Sequence, residues 1–424
     1  MKKILFLLAI AAFSGGAVFA QKSAVKDAKR ALGSNDLSEA RTLIVPATTN
    51  PETAKDPDTW KIYGDIGNKA FDNERASSII GKQHNEKAMY EGLLESYRPY
   101  VISDSLGELP NEKGKVKNNV RKDIVNILRA NHPYYINAGI YFSDQKDMKK
   151  AADCFEIYWN LPDLTLFAGE KTPFVKDSTY QIIKYYAIIS SIQGQDHKRA
   201  IKLLQRASKE QFIENSQCKE SDLYELLASE YYQQGDSVNF MNVLHEGAEK
   251  FPKVNYFMSN LVNVFIRQGQ HDKAMQYLDQ AIQNDPTNAC DFNSVKGALL
   301  TEAKKYEEAD VAFQKALAQD PNCERALEAL AVNYIVRAQD LKEISASLSD
   351  RKQQAENDKA IVDLYQKSAP LLERYRDLLK ARNAEESDIK AALFKLQNAY
   401  YNLSNLGIDK SKELDEIEKV LGTN

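Results

Sequence analysis

Hydrophobic positions along this chain recur with helical spacing, and the period-two alternation of a strand is hardly found anywhere. The segment from Tyr256 to Pro286 shows the pattern most clearly. Met258, Leu261, Val262 and Phe265 mark one face of a helix, and Gly269 closes it. Ala274, Leu278 and Ala281 then mark the inner face of a second helix, which Pro286 ends. The small residues Ala274 and Ala281 let the second helix approach the first closely. The expectation is an all-α chain of helix pairs with essentially no sheet.

The pair recurs. Units are expected at 221–254, 255–288 and 289–323, and another first helix begins at 324 with Leu327, Leu330, Ala331 and Tyr334. The unit at 221–254 carries Tyr224, Leu227, Ala228, Tyr231, Gly235, Leu244, Gly247 and Pro252, with Phe240 where the first small residue belongs. The unit at 289–323 carries Phe292, Val295, Tyr306, Ala309, Phe313, Ala316 and Pro321. Phe292 and Ala309 fit registers one apart, so one extra residue is placed between its helices. Weaker units follow the same spacing at 132–165 and 181–214, within a divergent region 121–214. Residues 21–120 read as atypical helical units, and residues 339–424 as long amphipathic helices ending in Ile389–Leu406 and Leu414–Leu421. Two stretches rich in polar residues, Pro or Gly interrupt the pattern: an exposed loop at 103–117 and an irregular insert at 161–177.

An aromatic or bulky residue, then Leu-small, an aromatic, Ala, Phe or Leu, Ala and Pro at fixed offsets resembles the tetratricopeptide repeat (TPR). The resemblance implies a right-handed α-solenoid with atypical N-terminal units and long C-terminal capping helices, its end units serving as caps. It also implies a concave groove lined by the first helix of each pair, which binds a protein or an extended peptide. Carried onto this sequence, the groove face comprises Tyr232, Tyr256, Ser259, Asn260, Asn263, Arg267, Asn293, Ser294, Thr301, Arg325 and Glu328. Asn263 matches an asparagine of the family's carboxylate clamp. The clamp lysine is replaced by Ser259 here and by Glu225 in the preceding unit, which puts a chaperone-tail clamp in doubt.

Charge and chemistry narrow the function further. Lys2 and Lys3 precede an apolar run from Ile4 to Phe13, and Val18 and Ala20 offer small side chains before Gln21. This pattern predicts a secretory leader at 1–20 of bacterial type, without a lipid-acceptor cysteine after it, and a periplasmic or secreted protein. Removing the leader takes two lysines and no acid, moving the formal charge from −4 to −6. That balance argues against a nucleic-acid-coating surface, and no later stretch is long and apolar enough to predict a membrane span. Cys290 and Cys323 fall near equivalent places in successive units. A helix-packing distance of ~10 Å between units exceeds the ~7 Å Cα limit of a disulfide, so this pair is expected to stay unpaired, and the sequence does not choose among the three pairings that four cysteines allow. His84, His132, His197, His245 and His271 form no metal-ligand spacing, and His197 and His271 fall at helix-pair turns, where a ring packs. No nucleophile, phosphate-loop or dinucleotide motif is found. The expectation is a non-enzymatic interaction scaffold of the bacterial envelope, without cofactor or metal, that assembles or regulates an envelope complex. A glycan- or nutrient-binding accessory of an outer-membrane uptake system, using Trp60, Trp159 and surface tyrosines, is the alternative.

Overall fold

A computed structural model describes residues 22–110, 113–286 and 289–422. The leader expected at 1–20 lies outside the described residues. These contain helices and no strand. Helix α1 covers 22–33. Then come α2 (Leu37–Ala47), α3 (Pro57–Ile79), α4 (Glu86–Gly107), α5 (Arg121–Asn131), α6 (Tyr134–Asp144) and α7 (Met148–Asn160). After two short 3-10 turns follow α8 (Ser178–Gln193), α9 (His197–Ala207), α10 (Glu220–Gln233), α11 (Ser237–Lys250), α12 (Asn255–Arg267) and α13 (His271–Asn284). The chain ends with α14 (Ala289–Glu302), α15 (Tyr306–Gln319), α16 (Glu324–Ser347), α17 (Arg351–Ala381), α18 (Glu386–Asn405) and α19 (Ser411–Leu421). The chain divides into two compact units, Met1–Glu230 and Tyr231–Asn424. Among the described residues no helix is long and apolar enough to cross a membrane.

One turn joins the helices of each repeat. Asn35, Lys146, Gln195, Gly235, Gly269 and Lys304 all adopt positive φ, between 58° and 71°. The N–H of the next residue reaches back to a carbonyl of the first helix, as from Asp147 to Phe142 (2.9 Å), Gln270 to Phe265 (2.8 Å) and Lys305 to Leu300 (2.8 Å). This left-handed closure satisfies carbonyls that a helix end otherwise leaves bare. The same next residue caps the second helix. Where it is aspartate, at 36, 147, 196 and 236, its carboxylate accepts the N–H three residues on. Four residues beyond the cap lies the residue that faces the first helix. It is Ala40, Ala151, Ala200, Ala274 or Ala309, each with no exposed surface, and Phe240 in the sixth case.

Two of the pairs also close over a glycine. Gly297 lies under the ring of Phe313 and Gly139 under that of Phe155, so close that a Cβ on either glycine would overlap the ring. Counted from the turn, α14–α15 follows α12–α13 with a uniform shift of 35 residues, as Gly269 to Lys304 shows. Met258 thus corresponds to Asn293 and Val262 to Gly297. The extra residue of this repeat therefore lies between Pro286 and the body of α14, and not between its helices. A turn tied by a specific closure has no slack for an insertion.

In the first unit the longest helices cross at glycines. A Cβ on Gly67 of α3 would stand 2.8 Å from the carbonyl oxygen of Gly92 and 2.8 Å from the backbone nitrogen of Ser96, both on α4. The loop expected at 103–117 begins later than its polarity suggests. Helix α4 continues to Gly107, with Asp104 only 2% exposed. Asp104 accepts hydrogen bonds from Arg121 Nε and Nη2 at 2.8 Å each, and Ser103 Oγ donates to the Pro57 carbonyl at 2.8 Å. Paired polar groups can be buried, so a polar run does not end a helix. The insert 161–177 does leave the helical path. Its 3-10 turns, Leu161–Asp163 and Thr165–Phe167, bury Leu161, Leu166 and Phe167. Arg129 of α5 stacks its guanidinium over Phe167 (5.2 Å) and Phe174 (4.6 Å), pinning the insert back on the helices.

The second unit ends in a cap. Helix α16 starts as the first helix of a further repeat but runs on to Ser347, and the 31-residue α17 packs along it. Leu330, Tyr334, Ile361, Tyr365, Leu396 and Tyr400 share one buried cluster with Ile417 of α19.

The glycine crossing generates a prediction of opposite signs. Gly67→Ala is expected to destabilise the first unit by roughly 1–3 kcal/mol, because backbone must shift to admit the methyl. Gly33→Ala, at an open position of α1 with no neighbour within 4 Å, is expected to stabilise it by about 0.5–1 kcal/mol. Urea unfolding of both variants, followed by circular dichroism, checks the pair.

Candidate functional site

Helix α12 presents its open side as a polar stripe. Tyr256, Asn260, Asn263 and Arg267 follow one another at helical spacing, the last two exposed. Asn260 Nδ2 donates to the Tyr256 carbonyl at 2.7 Å, and the Tyr256 ring stands edge-on to Phe257. Beside the stripe lies a pocket of about 220 Å³. Its floor is apolar, from Val262, Leu278, Phe292 and Val295, and its rim carries Asn255, Ser259, Asn263, Asp291 and Arg325. Arg325 Nη1 lies 3.9 Å from Asp291 Oδ1, an exposed pairing that leaves both groups open to a ligand. The volume is below the ~300–1,000 Å³ of small-molecule sites and suits a single side chain of a bound peptide.

The structure brings Asn263 and Arg325 together and moves other expected groove residues elsewhere. Asn293 is 6% exposed and Ser294 1% exposed. Asn293 Nδ2 donates to the Ala289 carbonyl (2.9 Å) and Ser294 Oγ to the Cys290 carbonyl (2.7 Å), so both face inward. The cause is the displaced extra residue, which rotates α14 by one position. Its open stripe is Asp291, Val295, Ala298 and Glu302, the counterparts of Tyr256, Asn260, Asn263 and Arg267. Thr301 is half-buried, its hydroxyl 2.9 Å from Oδ1 of the fully buried Asn333, whose amide in turn donates to the Tyr306 carbonyl (3.2 Å). Thr301 thereby ties the turn of one repeat to the first helix of the next. Tyr232 is 60% exposed, and its ring lies 5.3 Å from that of Phe240, the residue standing in for alanine in that repeat. Glu328 accepts from Lys395 Nζ at 2.6 Å. Asn255 and Asp291 were missed; counting back from the turns at Gly269 and Lys304, and not forward from the repeat start, would have found Asp291.

The expectation that Cys290 and Cys323 stay unpaired is overturned. Cys290 and Cys323 form a disulfide with Cα atoms 6.4 Å apart. Cys290 stands in the first turn of α14 and Cys323 is the N-cap of α16, so the two helices are joined at their starts, where they converge. The ~10 Å separation of helix bodies does not apply there. A cross-link over 33 residues stabilises by roughly 4 kcal/mol in the chain-entropy account. Cys154 and Cys218 are buried and unpaired.

Sequence comparison finds one local likeness. The tetratricopeptide repeat model matches residues 257–288, the α12–α13 pair, which is thus similar to one such repeat. No curated protein sequence matches the chain. Solved structures resemble it distantly: the C-terminal part of a TPR repeat-containing protein from Cytophaga hutchinsonii is 14% identical, with 66% of this chain and 98% of that one covered at a TM-score of 0.35. A tetratricopeptide repeat protein from Parabacteroides merdae is 12% identical over 69% of this chain and 98% of that one, with a TM-score of 0.33. A TPR repeats protein from Bacteroides fragilis is 14% identical over 63% and 98%, with a TM-score of 0.31. TPR folds commonly mediate protein–protein interaction and are typically non-catalytic.

Two polar clusters outside this pocket are internally paired. His197 Nδ1 lies 2.8 Å from Oε2 of the buried Glu230. The buried Lys184 ammonium meets Glu210 at 2.8 Å between the rings of Trp159 and Tyr180. Trp159 is fully buried and the Trp60 indole donates to the Ala54 carbonyl at 2.8 Å, which weakens the idea of an aromatic platform for glycans. No group of three or more His, Cys, Asp or Glu residues suited to a metal ion occurs among the described residues. His132 stacks on Tyr158 (3.9 Å between centroids) with Nε2 3.0 Å from the Tyr158 carbonyl. Burial, aided by the nearby Arg129 charge and opposed by that hydrogen bond, pushes His132 down to about 4.

His132 predicts a pH dependence. The unfolded chain takes up a proton near pH 6.5 while the folded chain keeps this ring neutral to about pH 4. Stability is therefore complete above 6.5 and falls as pH drops from 6.5 to 4, by about 3 kcal/mol in all. His132→Phe keeps the stack and removes the titration, so its melting temperature is expected to fall less between pH 7 and 4.5 than that of the wild type. An identical fall in both proteins would assign the effect to other groups.

Proposed function

We propose that this protein is a non-catalytic scaffold of the bacterial cell envelope that holds an extended segment of a partner protein along the open faces of α12, α14 and α16. The observation that carries this reading is the apolar-floored pocket between Asn263 and Arg325, where a polar stripe suited to hydrogen-bonding a peptide backbone meets a hole sized for one of its side chains. The stripe continues on α14 with Val295 and Ala298, so the face offers both polar and apolar contacts to a strand of peptide. The leader pattern at 1–20 supports export to the periplasm or beyond, and a disulfide fits an oxidising compartment. In that setting the scaffold would assemble or regulate an envelope complex.

Photo-crosslinking in cells tests the reading. A probe at Asn263 is expected to capture a discrete protein, and a probe at the exposed Glu308 on α15 is expected to capture none. Arg325→Ala is expected to weaken capture from Asn263 by about tenfold, the equivalent of ~1.4 kcal/mol, with the helical circular dichroism unchanged. The same products from both probes would remove the groove from consideration.

A further inference from the structure

We propose that the Cys290–Cys323 disulfide is a redox latch on the peptide pocket, opened by a small dithiol reductant that frees the start of α14 from the start of α16. Three observations lead there. First, one sulfur is open to attack: Cys290 is half-buried, whereas Cys323 is 4% exposed. Both cysteines line an open depression of about 580 Å³, together with Asp291, Asn322, Glu324 and Arg325. Second, the latch adjoins the pocket directly. Asp291 follows Cys290 and Arg325 stands two residues after Cys323, and this pair belongs to both the depression and the peptide pocket. A change in the distance between the helix starts is thus a change in the rim that meets the ligand.

Third, the two helix starts are anchored unequally. The start of α16 is tied to α17 without the disulfide, through Arg382 to Glu324 (2.8 Å) and Arg374 to Asn322 (2.9 Å). Farther along, Ser368 Oγ of α17 donates to the Ala331 carbonyl at 3.0 Å. Among the described residues, Asn293 and Ser294 near the start of α14 bond to carbonyls of their own helix, with a 3.8 Å approach of Ser294 Oγ to the Cys323 sulfur, and the side-chain tie to α13 comes later, from Lys296 to the exposed Asp279. Reduction therefore frees α14 more than α16. The reduced cysteines still fit their surroundings, since Cys323 packs with Ala316, Ala326 and Leu317 as a small apolar side chain would. The fold then persists with the latch open.

The chemistry balances. A thiolate of the dithiol attacks one sulfur, the S–S bond breaks, and the departing cysteine takes up a proton. The reductant's second thiol resolves the mixed disulfide and closes on itself, so two electrons and two protons pass to the protein, which gains two thiols. The consequence for ligand binding rests on the groove reading above; the movement of α14 does not.

The experiment uses the full chain with and without dithiothreitol, the number of released thiols being read by alkylation and mass spectrometry. Backbone hydrogen exchange is expected to quicken by about tenfold or more over residues 289–296 on reduction, with less than about a twofold change over 256–267 and 324–335. The double variant Cys290→Ser, Cys323→Ser should reproduce that pattern without reductant, and photo-capture from Asn263 should fall several-fold in both cases. Sulfurs that resist the dithiol in the folded protein would overturn the latch. So would exchange that quickens throughout the second unit, which marks a plain stabilising staple, or a local change that leaves capture untouched. Absence of capture in either redox state counts against the groove, and the exchange pattern then decides the latch by itself.

Discussion

In the turn of each helix pair, the N–H that follows the left-handed residue is bonded to a carbonyl five residues back in the first helix, and this bond aims the second helix. Because the bonded residue is also the cap, the start of the second helix is fixed to within one residue. That in turn decides which side chain lies four positions on, against the first helix. Alanine at that place, as in Ala151 or Ala274, lets the helices close up, and the rest of the interface follows from their separation. The glycine beneath Phe155 and the one beneath Phe313 are tolerated and needed for the same reason. Phe240 is the exception: it is buried too, and the ring of the exposed Tyr232 packs against it.

This dependence explains what could be read from residues alone. Helices, pair boundaries and the irregular insert were legible because apolar spacing and turn residues report local geometry directly. The positions of Asn293 and Ser294 were not, because a one-residue shift at the entry to α14 rotates the helix by about 100° and moves a polar side chain from an open face to a closed one. Helix α4 outran its expected end for a different reason. The burial of Asp104 depends on Arg121, a partner seventeen residues away that no local window sees. The disulfide escaped notice because a mean spacing of repeats says little about the ends of helices that converge.

Of the expected groove residues, Asn263, Arg267 and Arg325 are exposed, and those on α14 are replaced by their neighbours one register away. The face that results alternates between amide side chains on α12 and small apolar ones on α14. Its charged pair, Asp291 and Arg325, stands at the one place where neighbouring first helices are also held covalently. The rim of the pocket and the covalent link between helix starts thus share the same spot.

The lengthened α16 and the 31-residue α17 that covers it have a bearing on ancestry. A helix pair can join a stack only where an apolar face is open, and that face of the last repeat is already closed by α17, α18 and α19. Gene duplication could add units to the interior of this chain, but not beyond α16 without first losing the cap. The lineage should accordingly vary in repeat number upstream of residue 324 while keeping the segment after it constant in length.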